Sequence, residues 1–173
     1  MTPTDRAWRL APVVLGTVVL HTAVLPRVRP LDVGADGLLL LAGAVGVVAG
    51  RRAGGWIGFG AGLLADCFLA TPFGLSALVD GVAGWTAGAV ADRFLRPGWE
   101  AAAITGAVSA AAVVLFVVAG TVLGERTPPT ARLVTVLVVV GVLHAVLAPP
   151  ALAAARWAVG EPADRRPFLE PAA

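Results

Sequence analysis

The chain has 173 residues, of which 58% are hydrophobic and 14% charged, with a formal net charge of +2 and a mean hydropathy of +0.85. Soluble domains carry about 25% charged residues, so the composition excludes an ordinary water-soluble globule and predicts an all-α integral membrane protein. The thirteen basic residues are all arginine and are spread between apolar runs, which points to membrane topology and away from a nucleic-acid-binding surface.

Arg6 and Arg9 precede an apolar run from Leu10 to Leu25, and no small-x-small cleavage site appears before Pro26. This run is expected to be a retained first membrane helix, not a cleaved signal. Further apolar runs cover Val33–Gly50, Ala53–Ala70, Leu75–Ala91, Ala101–Gly124 and Leu133–Ala155, which makes six expected spans in one bundle. A spanning helix needs about 20 apolar residues. The first run therefore borrows length from its flanks, whereas the fifth has no charge over 24 residues.

With the N-terminus inside, the inner segments carry nine arginines and the outer segments four (Arg27, Arg29, Arg126 and Arg132). The positive-inside rule then predicts that both termini are cytoplasmic. Trp8, Trp56, Trp99 and Trp157 fall at the expected inner boundary, where the amphipathic indole is favoured; Trp85 alone sits deep. The inner loop Asp92–Trp99 is expected to lie on the membrane surface, and the outer loop Glu125–Arg132, with Pro128-Pro129, to be short and stiff. Pro149-Pro150 is expected to interrupt the last helix and kink it. Residues 1–157 thus form the membrane domain, and 158–173 a polar, disordered cytoplasmic tail.

The third and fourth runs form a hairpin. Pro72 pre-sets φ for a turn and Gly74 can take a positive φ, so Thr71–Gly74 reverses the chain. On the first arm Gly54, Gly58, Gly62 and Asp66 recur every fourth residue along one helical face; the second arm repeats the pattern with Asp80, Gly84 and Gly88. Small-xxx-small spacing lets another helix approach closely in lipid, so these glycines are expected at helix-packing or partner interfaces. At ~1.5 Å rise per residue, Asp66 and Asp80 are expected at matching depth, roughly 9 Å below the turn.

Acids inside a membrane are expensive to keep, which makes Asp66, Asp80 and His144 a candidate polar intramembrane site. One reading is a proton or cation relay. The other makes Asp66 an acceptor of backbone hydrogen bonds that fixes the hairpin, and it fits Asp66 better because no basic partner or second polar stripe follows. His144 either bonds a carbonyl freed by Pro149 or titrates with the acids; His21 is expected to be an ordinary interfacial histidine. The one cysteine, Cys67, can form no internal disulfide and has no fellow ligands for a metal.

The sequence contains no HExxH, Walker A or GxSxG motif, and Gly58-x-Gly60-x-Gly62 has the wrong spacing for a dinucleotide fingerprint. No catalytic residue, cofactor or metal ligand is expected.

Gly58-Phe59-x-x-Gly62-Leu63-Leu64-x-Asp66, followed by Pro72-Phe73-Gly74-Leu75-x-Ala77-Leu78, resembles the signature hairpin of the rod shape-determining protein MreD family. The wider layout from Leu10 to Trp157 is also similar, with Asp36-Gly37-Leu38 opening the second helix and Arg51-Arg52 at the inner turn. The chain departs from the family in having Ala35-Asp36 where Pro-Asp is frequent and His21 near the place of a long polar residue; Asp80 matches no family position.

The resemblance implies a six-helix fold like that of the substrate-binding subunits of energy-coupling-factor transporters. It further implies a non-enzymatic scaffold in the bacterial inner (plasma) membrane, part of the cell-elongation complex. Such a subunit binds an MreC-like protein, and through it MreB, RodA and a class B penicillin-binding protein, and helps position peptidoglycan synthesis and control cell shape. Membrane lipid is its other expected neighbour. The alternative is a carrier subunit for a vitamin-like small molecule, with a pocket under the outer loops lined by Asp66, Asp80, His21 or Ser76.

Overall fold

A computed structural model of the chain describes residues 3–24, 27, 30–68, 72–94, 99–124 and 129–159. Of the tail expected over 158–173, Ala158 and Val159 instead continue the last helix and are buried; the rest of it, Thr71 of the turn, residues 95–98 of the inner loop and residues 125–128 of the outer loop lie outside the described residues. Those described form six α-helices and no strand: α1 Pro3–Val19, α2 Gly37–Ala49, α3 Arg51–Asp66, α4 Leu75–Phe94, α5 Glu100–Val122 and α6 Thr130–Val159. A π turn, Leu20–Val24, prolongs α1, and a 3-10 turn, Pro30–Asp32, precedes α2.

Among the described residues two helices, α5 and α6, are long and apolar enough to cross a membrane. The other four fall short of the expected spans for separate reasons. Helix α2 has 13 residues, about 20 Å of helix against a hydrocarbon layer of about 30 Å. The apolar part of α1 is confined to Trp8–Val19. Helix α3 has 16 residues diluted by glycine, and α4 carries Asp80, Asp92 and Arg93 among its 20.

Helix α2 owes its place to composition. Its residues from Gly37 to Val48 are buried on every side, as expected of a helix apolar all round, and it forms the axis on which α3, α4, α5 and α6 pack. The outside is apolar as well: Trp56, Phe59, Val118, Val138, Val142 and Val146 are all exposed. A surface of that kind is compatible with a hydrocarbon surrounding.

The predicted hairpin is present, and its glycines set the helix spacing. A methyl group built on Gly62 would lie 2.6 Å from the Ser76 carbonyl oxygen, and one on Gly58 2.8 Å from the Asp80 carbonyl carbon. On Gly54 or Gly84 it would run into the backbone of the other, and on Gly88 into Arg51. The register descends on α4 as it rises on α3, so the arms are antiparallel. On the other side of this layer the Gly46 position meets Gly84 and Gly88, so α2 seats into the same backbone groove. Gly54, Gly58, Gly62, Gly84 and Gly88 are all buried. The faces expected to receive either a helix or another protein are filled by helices of this chain.

Two local expectations are corrected. Helix α6 runs without a break through Pro149 and Pro150; both are exposed, so their rings project outward instead of ending the helix. Asp66 and Asp80 are not level: Asp66 closes α3 beside the start of α4, whereas Asp80 is level with Gly58, about two turns lower. Helix α3 stops at Asp66 instead of continuing up to the turn.

The ends of the bundle are tied separately. The Arg9 guanidinium lies 5.8 Å from the Trp157 ring centroid and donates to the Trp157 carbonyl at 3.5 Å. The start of α1 and the end of α6 therefore share one end of the molecule. Trp8, Trp56, Trp99 and Trp157 are all exposed.

Candidate functional site

Asp66 is a remote helix cap. Its Oδ2 accepts from the Gly74 N–H at 2.8 Å and the Ala77 N–H at 3.2 Å, while Oδ1 accepts from the Ser76 N–H at 3.3 Å. The first amides of a helix have no partner within it, and a carboxylate there also faces the positive end of the helix dipole. Gly74 has φ +93°, the positive value the turn requires. Pro72 and Gly74 therefore turn the chain, and Asp66 anchors it from the opposite arm. The carboxylate is buried and used within the hairpin.

A second cap assembles at the start of α2 from three distant segments. The Asp36 carboxylate accepts from the Leu38 and Leu39 N–H groups at 3.0 and 3.1 Å. The Gly37 N–H donates to His21 Nδ1 at 3.3 Å, and the Asp36 N–H donates to His144 Nε2 at 3.1 Å. Every orphan amide at this helix start thus has an acceptor.

His144, completely buried, is an acceptor at Nε2 and so is neutral with its proton on Nδ1. Its partner is the backbone of α2, not the carbonyl freed by Pro149. His21 Nδ1 also lies 3.5 Å from Asp36 Oδ1; because that nitrogen accepts from Gly37, the contact is a proximity and not an ion pair.

The α2 cap was partly open to sequence reasoning: Asp36-Gly37 immediately before an apolar run is a helix-start signal. Nothing in the sequence spacing pairs Asp36 with residues 15 and 108 positions away. Substituting His144 by leucine is expected to strand the Asp36 N–H and lower stability by about 1–3 kcal/mol. His144→Gln, which keeps an acceptor, should recover part of it. Thermal unfolding of the purified variants in detergent tests this, and equal melting temperatures for both variants would contradict it.

Asp80 is different from both caps. It is 3% exposed, yet its carboxyl has no hydrogen bond to any described residue. It faces a cavity of about 340 Å³ between α2, α4, α5 and α6, together with Asp36 and with Ser76 one turn earlier on α4. Apolar side chains, among them Val79, Phe116 and Val140, make up most of the wall. At the rim Asp32 pairs with Arg132 at 3.1 Å, and Leu31 and Asp32 both hold positive φ values of 53° and 61°.

Of the three expected polar residues, then, the fold gives each a separate setting: Asp66 at the hairpin, His144 on the α2 cap, and Asp80 in the cavity. No group of three or more histidine, cysteine, aspartate or glutamate side chains among the described residues is placed to hold a metal ion.

A second concavity is an open apolar groove of about 460 Å³ between α5 and α6, floored by Gly106, Ala107, Ala110, Gly141 and Ala145. A methyl group on Gly106 would lie 2.5 Å from the Gly141 carbonyl oxygen, so the two helices touch there and leave a channel outside the contact. Val138 and Val142 flank it and are exposed. No family model, no curated protein and no solved structure matches the chain.

Proposed function

We propose that this chain is a multi-pass scaffold subunit of the bacterial inner membrane, with both termini cytoplasmic, that binds an MreC-like protein and helps position peptidoglycan synthesis during cell elongation. The observation that carries the reading is the hairpin. The residues through which the chain resembles the MreD family, Gly58, Gly62, Asp66, Pro72 and Gly74, are those that set its helix spacing, its turn and its cap. In this reading the short helices α1 to α4 also span, packed around α2, while α5 and α6 face lipid most fully.

The α5–α6 groove supports a helix-binding role, since a shallow small-residue channel admits a transmembrane helix at close range. It is the open counterpart of the glycine faces that the chain fills itself. Ala107 is exposed, so Ala107→Trp fills the channel without entering the core. We expect it to lower recovery of an MreC-like partner by about tenfold, equivalent to ~1.4 kcal/mol, with the fold intact.

The primary test is gentle purification of the tagged chain from its host membrane, with co-purifying proteins identified by mass spectrometry. An MreC-like protein at near-equal amount supports the scaffold; transporter membrane subunits and ATPases without it overturn it. One observation favours that second reading, a carrier subunit for a small molecule: Asp80 and Ser76 line a cavity. Asp66, expected in such a pocket, is committed to the hairpin cap.

A further inference from the structure

From the cavity beside Asp80 we infer a binding site for an alkylammonium group: a positively charged amine carried on a short apolar body. The inference does not rest on the scaffold reading.

A buried polar group without a hydrogen bond is costly whether it is ionised or protonated, because the ionised form lacks donors and the protonated form lacks an acceptor. Asp80 is 3% exposed, points into the cavity, and receives no hydrogen bond from described residues. Asp66, by contrast, accepts from three backbone amides, and Asp36 from two through its Oδ1. Both still lie within electrostatic reach of Asp80. At the rim Arg132 is paired with Asp32.

The walls define the rest of the ligand. A cavity of about 340 Å³ has room for about ten waters at ~30 Å³ each, but its polar side chains are few: Ser76 and Asp80 on α4, with Asp32 and Asp36 ahead of α2. A water cluster would leave most of its hydrogen bonds facing Val79, Phe116 and Val140. An ammonium instead places its three donors against Asp80 and the Ser76 hydroxyl, which share one face of α4. Its hydrocarbon part covers the apolar wall, and Phe116 puts an aromatic ring, a favourable neighbour for a cation, in the lining. A compact metal ion is a poor match, since no ligand set for one is assembled here among the described residues. The ammonium can belong to a free amine or to the ethanolamine headgroup of a lipid.

The test uses the full chain purified in a neutral maltoside detergent and titrated calorimetrically with hexylammonium chloride, against 1-hexanol as the uncharged match and empty micelles as reference. Saturable binding of hexylammonium, at least tenfold tighter than any of hexanol, is expected. Asp80→Asn removes the ionisable carboxyl but no hydrogen bond to a described residue, and should erase that preference. Val140→Phe should lower binding of the amine by filling the cavity from α6.

Repeating the titration with added phosphatidylethanolamine identifies the source. Weakened binding there, but not with phosphatidylglycerol, assigns the site to a lipid headgroup, and unchanged binding assigns it to a free amine. Equal affinity for hexanol, no saturation, or undiminished amine binding in Asp80→Asn with native helicity would overturn the inference. If Asp80→Asn fails to fold, the wild-type comparison of amine with alcohol, together with Val140→Phe, decides. Partner recovery is measured separately on Asp80→Asn: unchanged recovery with lost amine binding separates this site from the scaffold reading.

Discussion

Gly58→Ala is expected to destabilise the protein by about 3 kcal/mol, the upper part of the range for forcing extra volume into a packed contact. The added methyl would sit 2.8 Å from the Asp80 carbonyl carbon and 2.9 Å from the Ala42 methyl, where carbon atoms prefer about 3.5–4.0 Å. Neither neighbour is the end of a flexible side chain, so α3 must move away from both α2 and α4 at once. Gly60→Ala, two residues along the same helix, is the control. Nothing lies within 4 Å of its added methyl, and helix propensity predicts a gain of roughly 0.5–1 kcal/mol. Reversible unfolding in mixed micelles, followed by helicity, should separate the two variants in opposite directions. Equal stabilities would mean that the three-helix contact is looser than the geometry indicates.

Removal of the Asp66 carboxyl is the second large effect. Asp66→Ala leaves the Gly74, Ser76 and Ala77 amides without their acceptor. Loss of a cap costs about 0.5–2 kcal/mol, and each stranded buried donor about 1–3 kcal/mol, so a total near ~4 kcal/mol is expected. Asp66→Asn keeps one oxygen but turns an NH2 group toward a donor, and it should fall between alanine and the native chain.

This order distinguishes a cap from a relay. A carboxyl whose role is to carry a proton could be replaced by asparagine with the hairpin intact. A cap cannot, and limited proteolysis between residues 67 and 74 should therefore accelerate in both variants. If Asp66→Asn is as resistant as the native chain, the hydrogen bonds to the turn contribute little.

The glycine spacing, the Pro72-Phe73-Gly74 turn and the apolar runs determine by themselves that the chain is helical and that α3 and α4 form an antiparallel hairpin. These are local features: a four-residue repeat fixes one helix face, and a positive φ at Gly74 follows from the need to reverse within a few residues. Asp36-Gly37 likewise marks a helix start.

What occupies each face was settled only by tertiary packing. A small-residue stripe says that a backbone can come close, but not which one, and here the backbones that come close to Gly54, Gly58 and Gly62 belong to the same chain. The helix ends also escaped, because α3 stops at Asp66 where its carboxylate can reach the start of α4, and that moved Asp66 and Asp80 to different levels.

The three polar residues make the same point. Asp66, Asp80 and His144 read alike along the sequence, as rare polar groups in apolar runs. Two of them meet backbone amides that only the folded chain brings within 3.3 Å, and the third meets an open space. Hydrogen bonding acts over about 3 Å, so the roles of these side chains depend on neighbours that sequence separation does not encode.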